Sequence, residues 1–140
     1  MPTRKANATW NNGLKGGNGS FQGETGLSGN YTFGSRFENA SGSNPEELLA
    51  AALAACFSMA LSGNLEKNGT PSTKIETSAA CTIEKVDDKQ TVTKIALSVK
   101  GSVPNIDRGT FDRIVQETKV GCPVSRALKA VAIEASAQLT

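Results

Sequence analysis

The sequence predicts an α+β fold formed by one domain, residues 1–140, and three observations support this class. Short alternating segments with glycine turns fill the first 40 residues, a long apolar segment begins near Asn44, and alternating segments return from Ile75. Strands and helices that follow one another in blocks are typical of α+β proteins. With 38% hydrophobic and 20% charged residues, the chain also has the composition of an ordinary globular domain.

The first 40 residues predict three short strands, in the segments KANATW, GGNGSFQGET and NYTFGSRFEN. In the third segment Tyr31, Phe33, Ser35 and Phe37 alternate with polar or small residues. A two-residue period of this kind is typical of a strand with one buried face. The pattern places Arg36 on the face opposite the aromatic side chains.

The segment that follows predicts a long helix. Asn44 is a suitable N-cap, Pro45 fits the first helical position, and Glu46 and Glu47 complement the positive end of the helix dipole. We expect the helix to end within residues 63–69. Its apolar side chains point around the whole circumference, namely Leu48, Leu49, Leu53, Phe57, Met59 and Leu61. We therefore predict a central helix that is buried on most sides.

The remaining sequence predicts two strands, two helices and a last strand. The two strands lie around Ile75–Ile83 and Ile95–Val99 and are joined by the polar turn DDKQ. Asp107 is a suitable N-cap for an amphipathic helix that ends at Gly121. The segment CPVSRALK then restarts a short helix, and the alternation over residues 131–139 predicts a final strand.

The charges of the chain do not indicate a polyanionic partner. Fifteen basic and 13 acidic residues are interspersed, and a net charge of +2 is too small to indicate nucleic acid or an anionic membrane. We expect a small molecule or a protein as the partner. The first residues lack the apolar core of a signal peptide, and the longest apolar run, Leu48 to Leu61, is shorter than a membrane span. The expected location is the cytoplasm.

Histidine is absent from the chain, whereas cysteine occurs three times, at Cys56, Cys81 and Cys122. Without histidine, Cys-His and Ser-His-Asp catalysis and most zinc sites are excluded, and no metal site is expected. An odd number of cysteines without an export signal indicates reduced thiols rather than a disulfide framework. Any activated thiol must therefore use an arginine or a helix end.

The three cysteines have different surroundings. Cys81 shares a predicted strand face with Ile75 and Ile83 and is interpreted as a core residue. Cys122 lies at a predicted helix start, so it is either a thiol activated by the helix dipole or an indifferent cap. Cys56 lies among alanines inside a helix, where the apolar setting favours an inert core thiol unless a cation reaches it.

Arg36 is the candidate cation for Cys56, because its segment ends just before the long helix begins, and Glu46 is available to hold it. Glu46 and Cys56 are ten residues apart, which is about 15 Å along a helix. One chain cannot easily bring both to one small ligand, whereas two antiparallel copies of the helix could place Glu46 of one beside Cys56 of the other. The spacing favours a homodimer with shared sites.

Four segments resemble one known family. In chain order they are TFGSRFEN, GSNPEELLAAALAACFSMAL, TKIALSVKGSVPNIDRGTFDRIVQ and GCPVSRAL. They resemble the osmotically inducible protein C and organic hydroperoxide resistance (OsmC/Ohr) family, and the CFSMAL and CPVS forms are closer to the OsmC branch. The resemblance covers nearly the whole chain. It implies an intertwined homodimer in which antiparallel sheets wrap around a pair of long central helices.

The resemblance also implies a reaction, the reduction of organic hydroperoxides to alcohols and, less well, of hydrogen peroxide. Matched residue by residue, Cys56 takes the place of the peroxidatic cysteine, and Cys122 that of the resolving cysteine that forms a disulfide with it. Arg36 stands where the family has its activating arginine, and Glu46 where it has the glutamate that orients that arginine. No cofactor is implied, but an external dithiol or a lipoylated protein would have to reduce the disulfide.

Two other functions are compatible with the same residues. A redox-sensing or small-molecule-binding stress protein would use the cysteines in a regulatory disulfide without significant turnover. A structural stress protein would bury them as inert core residues. Arg36 and Glu46 favour catalysis, because a chain that needs only a disulfide does not need them.

Overall fold

The computed structural model describes all 140 residues, which form two compact units, Met1–Glu47 and Leu48–Thr140. The chain contains six strands and four helices, and the predicted α+β class is confirmed. In chain order the elements are β1 (Ala6–Asn11), β2 (Asn18–Gly23), β3 (Ser28–Tyr31), α1 (Phe33–Phe37), α2 (Pro45–Lys67), β4 (Lys74–Val86), β5 (Lys89–Ser102), α3 (Arg108–Gly121), α4 (Pro123–Ala127) and β6 (Ala132–Leu139).

The first unit is built on an antiparallel sheet with the strand order β1-β2-β3. The predicted strands KANATW and GGNGSFQGET correspond to β1 and β2. Trp10 on β1 and Tyr31 on β3 both lie opposite Gly19 on the middle strand, with ring centroids 5.4 Å apart. A Cβ atom at Gly19 would come within 2.6 Å of the Tyr31 ring and 2.7 Å of the Trp10 ring. Glycine therefore allows the two rings to meet over β2.

The third predicted strand is wrong for residues 33–37, which form α1 instead. The chain leaves β3 at Thr32, whose hydroxyl accepts the Ser35 N–H at 3.1 Å, while Ser35 Oγ accepts the Thr32 N–H at 2.9 Å. This reciprocal capping box satisfies two backbone donors locally, and it overrides the alternating pattern. Arg36 accordingly does not lie opposite the aromatic side chains, because its Cζ is 5.1 Å from the centroid of the Phe37 ring.

Loss of this cap should weaken α1. We expect Thr32→Ala to lower the free energy of unfolding by about 1 kcal/mol, because the Ser35 N–H loses its acceptor. Thr32→Ser keeps the acceptor oxygen and should retain most of the stability. Urea denaturation of the two variants and the wild type measures the difference. Equal midpoints for Thr32→Ala and the wild type would show that the capping box does not stabilise the fold.

The long helix α2 begins at Pro45, as predicted, with Asn44 Oδ1 accepting the Glu47 N–H at 2.8 Å. It continues to Lys67, within the predicted range for its end. Gly69 follows with a φ of +80°, a left-handed conformation that favours glycine and is typical of a helix stop.

The predicted burial of α2 on most sides is wrong for the single chain. One stripe of the helix is fully buried and consists of Leu53, Phe57, Leu61 and Leu65. The opposite face is exposed and consists of Ala51, Ala52, Ala55 and Met59. Met59 has a relative exposure of 81%. The apolar sequence thus supplies two faces, of which one packs in the core of this chain and the other remains uncovered.

With 23 residues, α2 also has the length and apolar composition of a membrane span, although the apolar run identified from the sequence is shorter. Only 28% of its most apolar window is buried in the chain. Core helices of globular proteins pass the same test of length and composition, so this helix alone is weak support for a membrane protein.

The second unit contains the sheet β4-β5-β6. β4 and β5 form the predicted hairpin, with Asp87 and Asp88 at its turn in left-handed conformations (φ of 49° and 61°). β6 pairs with β5 in parallel, so the expectation of antiparallel sheets is wrong for this pair. The connection through α3 and α4 explains the direction, because parallel strands need a long crossover.

The amphipathic helix α3 starts where it was predicted. Asp107 Oδ2 accepts the Thr110 N–H at 2.8 Å and caps the helix. The buried face of α3 comprises Phe111, Ile114, Val115 and Thr118. Gly101 on β5 lets the Phe111 ring approach the sheet, since a Cβ atom there would lie 2.8 Å from the ring. The core of this unit joins the buried stripe of α2 with α3 and β5.

Candidate functional site

The first group of candidate residues is an ion pair within the first unit. Arg36 Nη2 lies 2.8 Å from Glu46 Oε1, and Arg36 Nε donates to both oxygens of the carboxylate at 3.2 Å. The Glu46 side chain is buried, whereas the Arg36 side chain retains 35% of its exposure. Because Nε and Nη2 bind the carboxylate, the guanidinium is held in one plane and Nη1 remains for a ligand.

Hydrogen bonds between α1 and the start of α2 hold this pair in place. Ser35 Oγ donates to the Ser43 carbonyl at 2.8 Å, and Asn44 Nδ2 donates to the Ser35 carbonyl at 3.0 Å. Glu46 lies in the first turn of α2, where the helix dipole favours a carboxylate. The structure thus brings together the arginine and the glutamate that the sequence suggested as partners.

A cavity of about 240 Å³ lies beside Arg36 in the first unit. Its walls are mostly aromatic, and the lining residues are Trp10, Leu14, Tyr31, Phe33, Arg36 and Phe37. This cavity is not predicted from the sequence. The sequence does contain a signal for an aromatic cluster, because five of the seven aromatic residues occur in the first 37 positions. Their grouping in space depends on α1, which was not predicted.

The second group of candidate residues lies in the second unit, where Cys56 and Cys122 are neighbours. Cys56 is half-buried in α2, and Cys122, with 2% relative exposure, caps the start of α4. The two thiols are close enough for Cys122 to affect the pKa of Cys56. The Val124 N–H donates to Cys56 Sγ at 3.5 Å, while Ser125 N and Oγ lie 3.4 Å and 3.0 Å from Cys122 Sγ. Adjacent thiols of this kind can be oxidised to one disulfide.

The pKa of the Cys56 thiol is raised above its ordinary value. Burial is the largest cause, because it disfavours the charged thiolate. The Val124 N–H lowers the pKa, but the hydrogen bond with Cys122 and the charge interaction with it raise the pKa again. Together these contacts favour the neutral thiol, so they do not supply the activation expected from the sequence. Activation needs a cation in addition to them.

The remaining cysteine, Cys81, lies half-buried on β4 and packs against the hydrophobic core together with Ile75 and Ala79. This position agrees with its interpretation as a core residue. The chain contains no cluster of three or more cysteine, aspartate or glutamate side chains that could hold a metal ion.

Sequence comparison finds related proteins over most of the chain. The sequence profile of OsmC-like proteins matches residues 38–136. Peroxiredoxin OsmC of Escherichia coli (strain K12) is 48% identical over 129 residues, which cover 91% of this chain and 90% of that protein. Organic hydroperoxide resistance protein-like 2 of Staphylococcus epidermidis (strain ATCC 12228) is 30% identical over 86 residues, which cover 61% of this chain and 60% of that protein.

Solved structures share the fold at lower sequence identity. An OsmC-like protein from Mycoplasma pneumoniae matches with a TM-score of 0.76 at 14% identity, covering 99% of this chain and 98% of that one. The organic hydroperoxide resistance protein OhrB of Bacillus subtilis matches with a TM-score of 0.71 at 22% identity, covering 97% of this chain and 98% of that one. The arrangement of strands and helices described above is therefore one that solved structures also contain.

Proposed function

The chain belongs to the family of OsmC-like proteins, and from this membership we propose that it is a cysteine-based peroxidase that reduces organic hydroperoxides to alcohols and acts less well on hydrogen peroxide. The adjacency of Cys56 and Cys122 carries the proposal. The names of the relatives agree with it, since one is a peroxiredoxin and another is an organic hydroperoxide resistance protein-like chain. The matched residues 38–136 extend over both compact units, which supports one family domain over residues 1–140.

In the proposed cycle, the Cys56 thiolate attacks the terminal oxygen of the hydroperoxide. The O–O bond breaks, Cys56 becomes a sulfenic acid, and the alkoxide takes a proton and leaves as an alcohol. Cys122 then attacks the Cys56 sulfur, the S–O bond breaks, and the leaving hydroxide combines with the Cys122 proton to give water. An external dithiol reduces the resulting disulfide by two exchange steps and restores both thiols.

Arg36 is proposed as the cation that favours the Cys56 thiolate, with Glu46 orienting its guanidinium. We place this pair in the partner subunit of a homodimer, because Glu46 and Cys56 are ten residues apart on α2, or about 15 Å. A two-fold axis near Ala51 would place residue 46 of one antiparallel helix beside residue 56 of the other.

The exposed face of α2 supports this arrangement. Its central members, Ala51, Ala52 and Ala55, are small enough for a close approach of two helices, and Met59 adds a large apolar side chain, 81% exposed, to the same face. A second copy of the helix would cover the face that this chain's own core leaves open. We also include in this proposal that the sheets of the two subunits are intertwined.

The aromatic cavity beside Arg36 supports a preference for organic peroxides. Its walls can contact an alkyl or aryl group, while Arg36 Nη1 can donate to a peroxide oxygen. Hydrogen peroxide has no apolar part and would gain only the polar contact. The cavity therefore provides a physical reason for slower reaction with hydrogen peroxide.

The proposed partners are few. The reductant is a small thiol, thioredoxin or a lipoylated protein, and no bound cofactor takes part. The small net charge supports a protein that binds neither nucleic acid nor membranes. We place it in the cytoplasm, where thiols are kept reduced.

Intact mass spectrometry after addition of one equivalent of cumene hydroperoxide to the reduced protein tests the proposal. We expect a loss of about two mass units, with peptide mapping locating the link between Cys56 and Cys122. Cys81→Ser is the matched control and should show the same loss. An unchanged mass in a folded protein would contradict the proposed chemistry.

The proximity of Cys56 and Cys122 at the start of α4 is also compatible with a second candidate, a redox sensor that forms a regulatory disulfide once without useful turnover. Repeated consumption of hydroperoxide with excess dithiothreitol separates the two functions. A peroxidase consumes many equivalents per chain, whereas a sensor stops after one.

A further inference from the structure

Ser125 contacts the sulfur of Cys122 with its side chain as well as its backbone. Its Oγ lies 3.0 Å and its N lies 3.4 Å from Cys122 Sγ. Both residues are almost fully buried, with relative exposures of 4% and 2%. Water therefore has little access to this site and cannot easily replace the Ser125 hydroxyl as a hydrogen-bond partner of the sulfur.

Capping of α4 does not explain the Ser125 hydroxyl. Cys122 Sγ acts as the N-cap acceptor for the Ser125 N–H, and alanine at position 125 would keep that N–H. The hydroxyl makes one hydrogen bond, and that bond is to Cys122 Sγ. Loss of this hydroxyl would therefore remove a hydrogen-bond partner from Cys122 Sγ and from no other side chain.

The direction of this hydrogen bond depends on the proton of Cys122. While Cys122 is a thiol, either atom can donate. Once Cys122 loses its proton, the sulfur can only accept, and the Ser125 hydroxyl and N–H become two donors to one thiolate. The thiolate is the form that attacks a neighbouring sulfur.

We propose that Ser125 is a positioning residue for the resolving step, holding the Cys122 sulfur toward Cys56 and donating to it as it becomes a thiolate. This inference rests on the proposed peroxidase function. In the step itself the Cys122–Cys56 S–S bond forms, the S–O bond of the Cys56 sulfenic acid breaks, and hydroxide leaves. The hydroxide takes the proton released by Cys122, so the products are one disulfide and one water.

The Ser125→Ala variant tests the proposal by separating the two steps of oxidation. We expect the Cys56 sulfenic acid to form at the wild-type rate, because Ser125 contacts Cys122 and not Cys56. Disulfide formation should slow by roughly tenfold or more, because a buried thiolate loses a charge-assisted hydrogen bond. Rapid mixing with cumene hydroperoxide, an acid quench and intact mass spectrometry measure both steps.

A slower resolving step also leaves more time for over-oxidation. At excess hydroperoxide, Ser125→Ala should accumulate the Cys56 sulfinic acid, seen as a gain of about 32 mass units, to a larger fraction than the wild type. Ser125→Thr restores the hydroxyl and should recover the wild-type ratio of disulfide to sulfinic acid. Ser58→Ala is the matched control, since Ser58 Oγ binds Thr77 and the Ala54 carbonyl and neither reactive thiol.

Wild-type resolution and wild-type over-oxidation in Ser125→Ala would overturn the proposal. So would a defect in Ser125→Ala that Ser125→Thr does not reverse when circular dichroism shows both variants folded.

Diamide, an azo compound that oxidises two thiols to a disulfide and is itself reduced to a hydrazine, makes the same link without a peroxide. If the wild type does not react with cumene hydroperoxide, the proposed function fails, and the rates of linking by diamide then decide the role of Ser125 on their own.

Discussion

The Cys56→Ser variant is expected to consume no hydroperoxide above the rate of dithiol and peroxide alone. A serine hydroxyl remains protonated at neutral pH and cannot form the sulfenic acid that the cycle requires. The fold should survive, because Cys56 is only half-buried and serine is close to it in size. Peroxide consumption with excess dithiothreitol and a stoichiometric amount of variant measures the effect.

The other two cysteines are the controls for this result. Cys122→Ser should permit one oxidation of Cys56 and then allow over-oxidation, since no second thiol is present to form the disulfide. Cys81→Ser should retain full turnover with at most some loss of stability. Residual turnover in Cys56→Ser, or an inactive but folded Cys81→Ser, would show that the reactive pair is a different one.

The Arg36→Ala variant should slow the oxidation of Cys56 by roughly a hundredfold to a thousandfold, as expected when a donor aimed at developing charge is removed from an active site. Removing the cation leaves Cys56 with the contacts of its own unit, and these raise its pKa through burial. Arg36→Lys keeps a charge but loses the two-point contact with Glu46, so its rate should fall between those of the wild type and Arg36→Ala. Stopped-flow oxidation in a Cys81→Ser background measures all three rates.

The pH dependence of the oxidation rate shows in which direction Arg36 shifts the pKa of Cys56. A thiol with a raised pKa is protonated at neutral pH. As long as the pH lies below that pKa, the thiolate fraction rises about tenfold for each unit by which the pH increases. The oxidation rate of Arg36→Ala should therefore keep rising through pH 8 and 9. The wild-type rate should level off at a lower pH, because the guanidinium favours the thiolate. Parallel profiles in the two proteins would remove Arg36 from the mechanism.

Mixing two inactive variants tests whether the site is shared between subunits. A heterodimer of Cys56→Ser and Arg36→Ala chains would contain one site with both wild-type side chains and one site with neither. After exchange of subunits at equal concentration, we expect recovery of about a quarter of the wild-type activity, because half of the dimers are mixed and each has one working site. No recovery in a verified heterodimer would place Arg36 and Cys56 of one site in the same chain.

Local signals in the sequence were sufficient for most elements of the fold. Asn44 and Asp107 mark helix starts through hydrogen bonds within three residues, and Asp87 and Asp88 form the turn between β4 and β5, each at the predicted place. α1 was missed because the alternation of Tyr31, Phe33, Ser35 and Phe37 also matches a strand. The competing capping box depends on two side chains, Thr32 and Ser35.

Features that depend on distant parts of the chain were harder to predict. The direction of β6 follows from the path of the crossover, which residue alternation does not encode. The uncovered face of α2 is as apolar as the buried one, so hydropathy alone cannot tell which face the chain's own core will cover.

The residues of the candidate site also divide into those that can be selected from the sequence and those that depend on the fold. The side chains to which we propose chemical roles, Arg36, Glu46, Cys56 and Cys122, could be selected from residue type and from the family resemblance. The Val124 N–H that points at Cys56 could not, because every residue except proline has such a donor and only the fold decides where it points. Ser125 belongs to the same class, since its relevance depends on its 3.0 Å contact with Cys122.

The position of Cys122 as the cap of α4 also bears on the energetics of electron transfer. In the proposed cycle, the Ser125 contacts with Cys122 Sγ would be stronger for a thiolate than for a disulfide sulfur, so they would stabilise the dithiol over the disulfide. Each 1 kcal/mol of that preference raises the reduction potential of the pair by about 20 mV. A disulfide at a higher potential accepts electrons from a wider range of cellular dithiols, so the helix start that holds Cys122 in place would also make the oxidised protein easy to regenerate.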